Sequence, residues 1–107
     1  MAEKSERRLK LEASLADDPN DAFLRYGLAL QCLREGDVEE GRSRLRSLIA
    51  DDPGGQIAAY QQLGQSFAES EEFEDAAATL REGISRAVAR GEHHAAAEME
   101  ALLGSLG

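Results

Sequence analysis

The tripeptide Asp-Asp-Pro occurs twice, at Asp17-Asp18-Pro19 and Asp51-Asp52-Pro53, 34 residues apart. Between and after these marks the chain reads as helix, short turn, helix, with apolar residues at corresponding places. A period of that length with a helical hairpin as its unit predicts a solenoid, in which each hairpin hides its apolar face on the next. The composition agrees with an all-α chain. Most of the apolar residues are Leu and Ala, both strong helix formers, and there are only two prolines.

Six helices follow from the apolar spacing and the breakers. The first, 5–16, is carried by Leu11 and Leu15 at i,i+4 with Leu9 nearby, after a frayed end from Met1 to about Lys4. The second, 21–35, starts from Asn20 as N-cap with Asp21 in its first turn, and is apolar on more than one side. Gly36 stops it, and Asp37 with Glu40 suggests a capping box for helix 38–50, which presents Val38, Leu45, Leu48 and Ile49. Pro53-Gly54-Gly55 is a turn before helix 57–69, where Ile57, Tyr60, Gly64 and Phe67 share a face. Ser70-Glu71-Glu72 turns without a glycine. Helix 73–90 uses Phe73, Ala76, Ala77, Leu80, Ile84 and Val88, and helix 93–106 uses Met99, Leu102, Leu103 and Leu106. Leu63 and Phe67 are expected in the core. A chain of 107 residues with no long linker makes one domain.

Two segments resemble tetratricopeptide repeats, at 22–53 and 57–90. The second carries that family's pattern in Tyr60, Leu63-Gly64, Phe67, Ala76 and Leu80. The first carries Leu28-Ala29, Gly36-Asp37, Gly41, Leu45 and Pro53, but departs where Arg25 and Cys32 replace its aromatics, so that Tyr26 either takes over the early packing role or points into the groove. The second lacks the closing proline. Helix 5–16 resembles a lone second helix of a hairpin, and helix 93–106 a C-terminal capping helix. The resemblance covers nearly the whole chain. It implies an all-α, right-handed solenoid of about six antiparallel helices, acting as a non-catalytic protein–protein interaction module, a scaffold or adaptor.

The resemblance also implies where a partner docks: on a concave groove formed by the first helix of each hairpin. Its lining positions in the first unit are Phe23, Tyr26, Leu30 and Leu33, with Arg34 at the edge. In the second they are Ala58, Gln61, Gln65, Ala68 and Glu69. The expected partner-binding set is therefore Phe23, Tyr26, Leu30, Leu33, Arg34, Gln61 and Gln65. Three outcomes stay open for the apolar part: helix 5–16 covers it, an unusual rotation of helix 21–35 buries it, or it stands free for a partner. The places that hold Lys, Asn and Arg in family members that clamp acidic C-terminal tails hold Tyr26, Gly27, Leu30, Arg34, Gln61 and Gln65 here. Only Arg34 fits, so binding of such tails is not expected. A self-associating structural module, a homodimer through the same apolar patch, is the alternative function.

Several chemistries are disfavoured by the residues. The formal net charge is −9, with 9 Lys/Arg against 12 Asp/Glu in residues 1–53 and 3 against 9 in residues 54–107. That balance opposes nucleic acid and anionic membrane surfaces as partners. The polar start of the chain is unlike a signal or transit helix, and a cytoplasmic location is expected. Cys32 is the single cysteine, so it forms no internal disulfide, and it falls on a packing face. His93, His94, Glu92 and Glu98 do not make up a zinc shell, and no metal or cofactor is expected. Arg42, Arg44 and Arg46 read as ordinary surface pairing. Glu69, Glu71, Glu72, Glu74 and Asp75 read as a solvated turn, with reception of a basic partner as the other reading. No phosphate loop or nucleophile arrangement is present, and an enzyme is not expected.

Overall fold

The computed structural model describes residues 3–106, so Met1 and Ala2 of the expected frayed end lie outside the described residues. Six α-helices follow in order: α1 (Glu6–Asp17), α2 (Ala22–Arg34), α3 (Val38–Asp51), α4 (Ile57–Glu69), α5 (Phe73–Ala89) and α6 (His93–Ser105). Each boundary lies within one residue of its sequence expectation, and no strand occurs among the described residues. α2 packs with α3 and α4 with α5 as hairpins; α1 lies on α2, α3 on α4 and α5 on α6. α2 also meets α4, and α4 meets α6, so these three helices form one face of the stack.

The connections use two kinds of helix ending. Where Asp-Asp-Pro stands, the second Asp leaves the helix with nearly the same backbone both times: φ −141°, ψ 76° at Asp18 and φ −151°, ψ 75° at Asp52. Proline forbids helical ψ in the residue before it, which accounts for both. The other three endings are Schellman turns. The amides of Asp37, Glu72 and Glu92 each reach back 2.9 Å to the carbonyls of Cys32, Phe67 and Ala87. The residue before each amide is left-handed: Gly36 at φ +84°, Gly91 at +74°, and Glu71 at +58° where a glycine would be at ease.

Two caps differ from expectation. Asp21, not Asn20, caps α2, accepting from the Leu24 amide at 2.9 Å. Asp37 occupies the N-cap of α3 but makes no side-chain cap bond, so the capping box with Glu40 does not form. Both carboxylates are turned to Arg8, whose guanidinium is a stronger donor than a backbone amide.

The core has two connected parts. Ala29, Leu45, Ala59, Leu63, Phe67 and Ala76 join α2 to α5, and Ile57, Tyr60, Leu80, Ala87, Ala96 and Met99 join α4, α5 and α6. Leu63 and Phe67 are buried, as expected. Leu9, Phe73 and Val88, expected on apolar faces, stand exposed. Arg8 takes the buried place on α1, which turns its neighbour Leu9 outward, and Phe73 and Val88 sit in the first and last turns of α5.

Arg42 corrects the surface-pairing expectation most sharply. Its side chain is buried beneath the stack, 5% exposed. Nε donates to Ser66 Oγ at 2.9 Å, and Nη2 donates to the Ser66 carbonyl at 3.0 Å and Ser70 Oγ at 3.1 Å. Glu72 Oε2 lies 2.9 Å from the same nitrogen, and the guanidinium sits 4.5 Å over the Phe67 ring. Arg8 does the equivalent one unit earlier. It is 4% exposed and donates to Asp37 at 2.9 Å and Glu40 at 3.0 Å. A buried guanidinium tolerates loss of water only when well bonded, and of these two Arg8 keeps one nitrogen, Nε, without a hydrogen bond, 3.8 Å from Glu12. Each arginine thus ties one helix to the turn of the following hairpin.

Candidate partner-binding surface

α2, α4 and α6 present two adjoining depressions on their shared face. The first, about 270 Å³, lies between α2 and α4, with Leu30, Leu33 and Val38 as apolar lining and Arg34, Gln62, Gln65 and Glu69 among the polar residues. The second, about 550 Å³, lies between α4 and α6, lined by Gln61, Gln65, Ala68, Glu69, Glu98, Ala101 and Leu102. Gln65 and Glu69 line both, so the two form one continuous surface.

The spacing of the sequence produces this surface directly. Leu30, Leu33 and Arg34 fall on one side of α2, while Leu28, Ala29 and Cys32 are fully buried on the other. On α4, Gln61, Gln65, Ala68 and Glu69 recur at three- and four-residue steps, opposite the buried Ala59, Tyr60, Leu63 and Phe67. α1 packs on α2 beside Gly27, where Leu11 would meet an added Cβ at 3.7 Å. No α1 residue lines either depression. The covering of the groove by the first helix, left open by the sequence, does not occur at Leu30 and Leu33.

The seven residues singled out from sequence divide into three groups. Leu30, Leu33, Arg34 and Gln65 line the first depression together. Gln61 lines the second, and its amide donates to Glu98 Oε2 at 2.9 Å. Phe23 lines neither and is 83% exposed. Tyr26 is half-buried and packs against the first part of the core. Burial raises its phenol pKa, and a hydrogen bond with Gln62 works in the opposite direction. Tyr26 takes the packing role vacated by the missing repeat aromatic.

Sequence reasoning missed Gln62, Val38, Ser66 and Ser70 as lining of the first depression and Glu98, Ala101 and Leu102 as lining of the second. Gln62 adjoins the expected Gln61 on α4, while Val38 opens α3, a helix from which no lining residue was expected. Glu98 belongs to α6, which was read only as a cap.

The charge on this surface is unevenly placed. Arg34 has no ion-pair partner among the described residues. Glu69 accepts a hydrogen bond from Gln65 Nε2 at 3.1 Å and has no cationic partner among the described residues, and Glu98 faces Gln61 and His94.

The titratable groups elsewhere serve structure. Burial, reinforced by the nearby Glu40 carboxylate, pushes the Cys32 thiol up to about 11, so at neutral pH it is no nucleophile. Bonds from the Ser5 hydroxyl and the Gln31 amide hold Glu35 down at about 2, and the Asp37 hydrogen bond raises Arg8 further. Glu40 is lowered, chiefly by its bond from Arg44. No group of three His, Cys, Asp or Glu among the described residues is placed to hold a metal ion. No helix of the described residues is long and apolar enough to cross a membrane.

A stack of helical hairpins with alternate helices on one face defines a helical-repeat solenoid. The sequence profile of the tetratricopeptide repeat family matches residues 1–87, and the chain belongs to that family. It is similar to a TPR repeat-containing protein of Pseudomonas aeruginosa, 29% identical over 96 residues and 90% of each chain. Two solution structures share the fold. A tetratricopeptide repeat domain protein from Salinibacter ruber superposes with a TM-score of 0.77 at 25% identity, over 82% of this chain and 88% of that one. A protein from Bordetella parapertussis superposes with a TM-score of 0.83 at 22% identity, over 95% and 88%. Tetratricopeptide repeats are generally protein–protein interaction modules.

Proposed function

We propose that this chain is a non-catalytic scaffold or adaptor that holds a segment of another protein on the α2–α4–α6 face. Two repeats, 22–53 and 57–90, would form the working unit, with α1 and α6 flanking them in a single cytoplasmic domain. The observation that carries the reading is the first depression. It combines the half-buried Leu30, Leu33 and Val38, of which Leu33 also packs on the core, with Arg34, unpaired among the described residues, and the amides of Gln62 and Gln65. Apolar residues give an anchor a place to leave water, and the amides and the guanidinium orient the chain that carries it. Acidity and the lack of a basic face favour protein over nucleic acid as the partner.

A photo-crosslinking residue at Gln65, shared by both depressions, tests the surface; the control position is the exposed Ser85 on α5. Incubated with extract of the source cell, the Gln65 probe should form a discrete adduct with another protein, and this adduct should disappear when Leu30→Asp is added. Equal labelling from Ser85, or an adduct that survives Leu30→Asp in a folded chain, would move the binding surface elsewhere. An adduct of twice the chain mass of 11.6 kDa would instead establish the homodimer.

A further inference from the structure

We infer that the segment held on this face is basic, with a Lys or Arg seated between Glu69 and Glu98 beside an apolar anchor. The inference rests on the proposed surface and names the chemistry of its occupant.

The two carboxylates belong to different helices, α4 and α6, and line one depression. Each is oriented by a neutral amide from α4: Gln65 Nε2 at 3.1 Å from Glu69 and Gln61 Nε2 at 2.9 Å from Glu98. An amide donor positions a carboxylate without cancelling its charge. The acids of the arginine-tied turns are treated differently: Asp37, Glu40 and Glu72 each lie within 3.0 Å of a guanidinium. Within ion-pair distance of Glu69 and Glu98 the described residues offer only the His94 imidazole, on Glu98, which carries charge only when protonated. No Lys or Arg lines the depression. Ala68, Ala101 and Leu102 complete it with apolar surface, the complement of the methylene stem of Lys or Arg. Arg34, across the first depression, repels a cation from the α2 side and so sets the direction in which a basic segment lies. The surrounding charge acts in the same sense: residues 54–107 carry 9 acids against 3 Lys/Arg, which steers cations towards this half.

Selection from a phage-displayed library of random 16-residue peptides tests the sign of the charge. The intact chain is the bait, and an unrelated acidic helical protein of similar net charge in excess solution removes peptides drawn only by overall acidity. The enriched peptides should carry Lys or Arg beside a large apolar residue. Measured as labelled synthetic peptides by fluorescence anisotropy, they should bind the double variant at least tenfold more weakly, and weaken as salt rises. Circular dichroism confirms that the variant is folded; both carboxylates are solvent-facing, so their amides leave the helices intact. Peptides that lose affinity on Leu30→Asp but not on Glu69→Gln/Glu98→Gln, or that are acidic, would keep the surface and overturn its preference for a basic partner. Peptides indifferent to both variants, or no enrichment, would overturn the surface and the preference together.

Discussion

Gly64→Ala should destabilise the protein, against the ordinary rule that alanine outperforms glycine in a helix. A mid-helix Gly→Ala change gains about 1 kcal/mol of intrinsic propensity. At Gly64 the added Cβ would lie 2.6 Å from Leu80 Cδ2 and 2.7 Å from Leu80 Cγ. Carbon pairs rest at about 3.5–4.0 Å, so about an ångström of movement is needed. Leu80 has nowhere to go: it is fully buried, among Ile57, Tyr60, Ala87, Ala96 and Met99. Overpacking of this kind costs about 1–3 kcal/mol, and the overlap here belongs at the upper end. The net loss is then about 1–2 kcal/mol, or about 5–15 °C in Tm for a domain of this size. Gly27, also within a helix, supplies the internal control. Its Cβ would touch Leu11 at an ordinary 3.7 Å, so Gly27→Ala should raise stability by about 0.5–1 kcal/mol. The assay is urea and thermal unfolding followed by circular dichroism. A double-mutant cycle with Leu80→Ala completes it, because Gly64→Ala should become less costly once Leu80 is truncated. If Gly64→Ala equals or exceeds the native chain in stability, the close approach of α4 and α5 is not what the glycine serves.

Three further outcomes follow from the same packing. Arg42→Ala should cost about 2–4 kcal/mol in urea unfolding at unchanged m-value, since it strands the Ser66 hydroxyl, leaves the Ser66 carbonyl with only the Ser70 amide, and releases the partly exposed Glu72; Arg46→Ala, at 5.5 Å from the same ring and exposed, should cost under about 1 kcal/mol. Glu71→Gly should gain about 0.5–1 kcal/mol by releasing a left-handed non-glycine residue, and a loss would mean that the side chain, not the backbone, governs that turn. Stability should fall with acid in the window set by Glu35. Its carboxyl is held at about 2 in the fold against about 4.3 in the unfolded chain, so its contribution is present above about 4.3 and disappears as pH falls towards 2. Urea midpoints taken from pH 6 to pH 2 should flatten in part for Glu35→Gln.

The 34-residue period made most of this fold legible, and the parts it left unread are those where charge, not apolarity, repeats. Leu63, Phe67, Leu80 and Ala76 could be assigned because apolar periodicity reports burial directly. The groove was legible at Leu30, Leu33, Arg34 and Gln65 because the same periodicity defines the side of each helix left over. Tyr26 was ambiguous because an aromatic fits either side, and only the geometry of α2 against α4 puts it on the core. Arg42 was misread, and Arg8 passed over, because an arginine flanked by acids looks the same whether the acids are water-facing or buried partners.

Yet these two arginines stand 34 residues apart, the spacing of Asp-Asp-Pro itself. Both bond the residue that donates the long reach-back amide of the next Schellman turn, Asp37 for Arg8 and Glu72 for Arg42. The repeat therefore specifies a cation as well as a proline. Surface ion pairs have no reason to keep the register of the stack, whereas a guanidinium crossing from one hairpin to the next must keep it. Thirty-four residues beyond Arg42 stands Ala76, fully buried, and α6 is held to α5 through Ala96 and Met99 instead. Among the described residues no turn and second helix follow α6, so a guanidinium at position 76 would have nothing to grip.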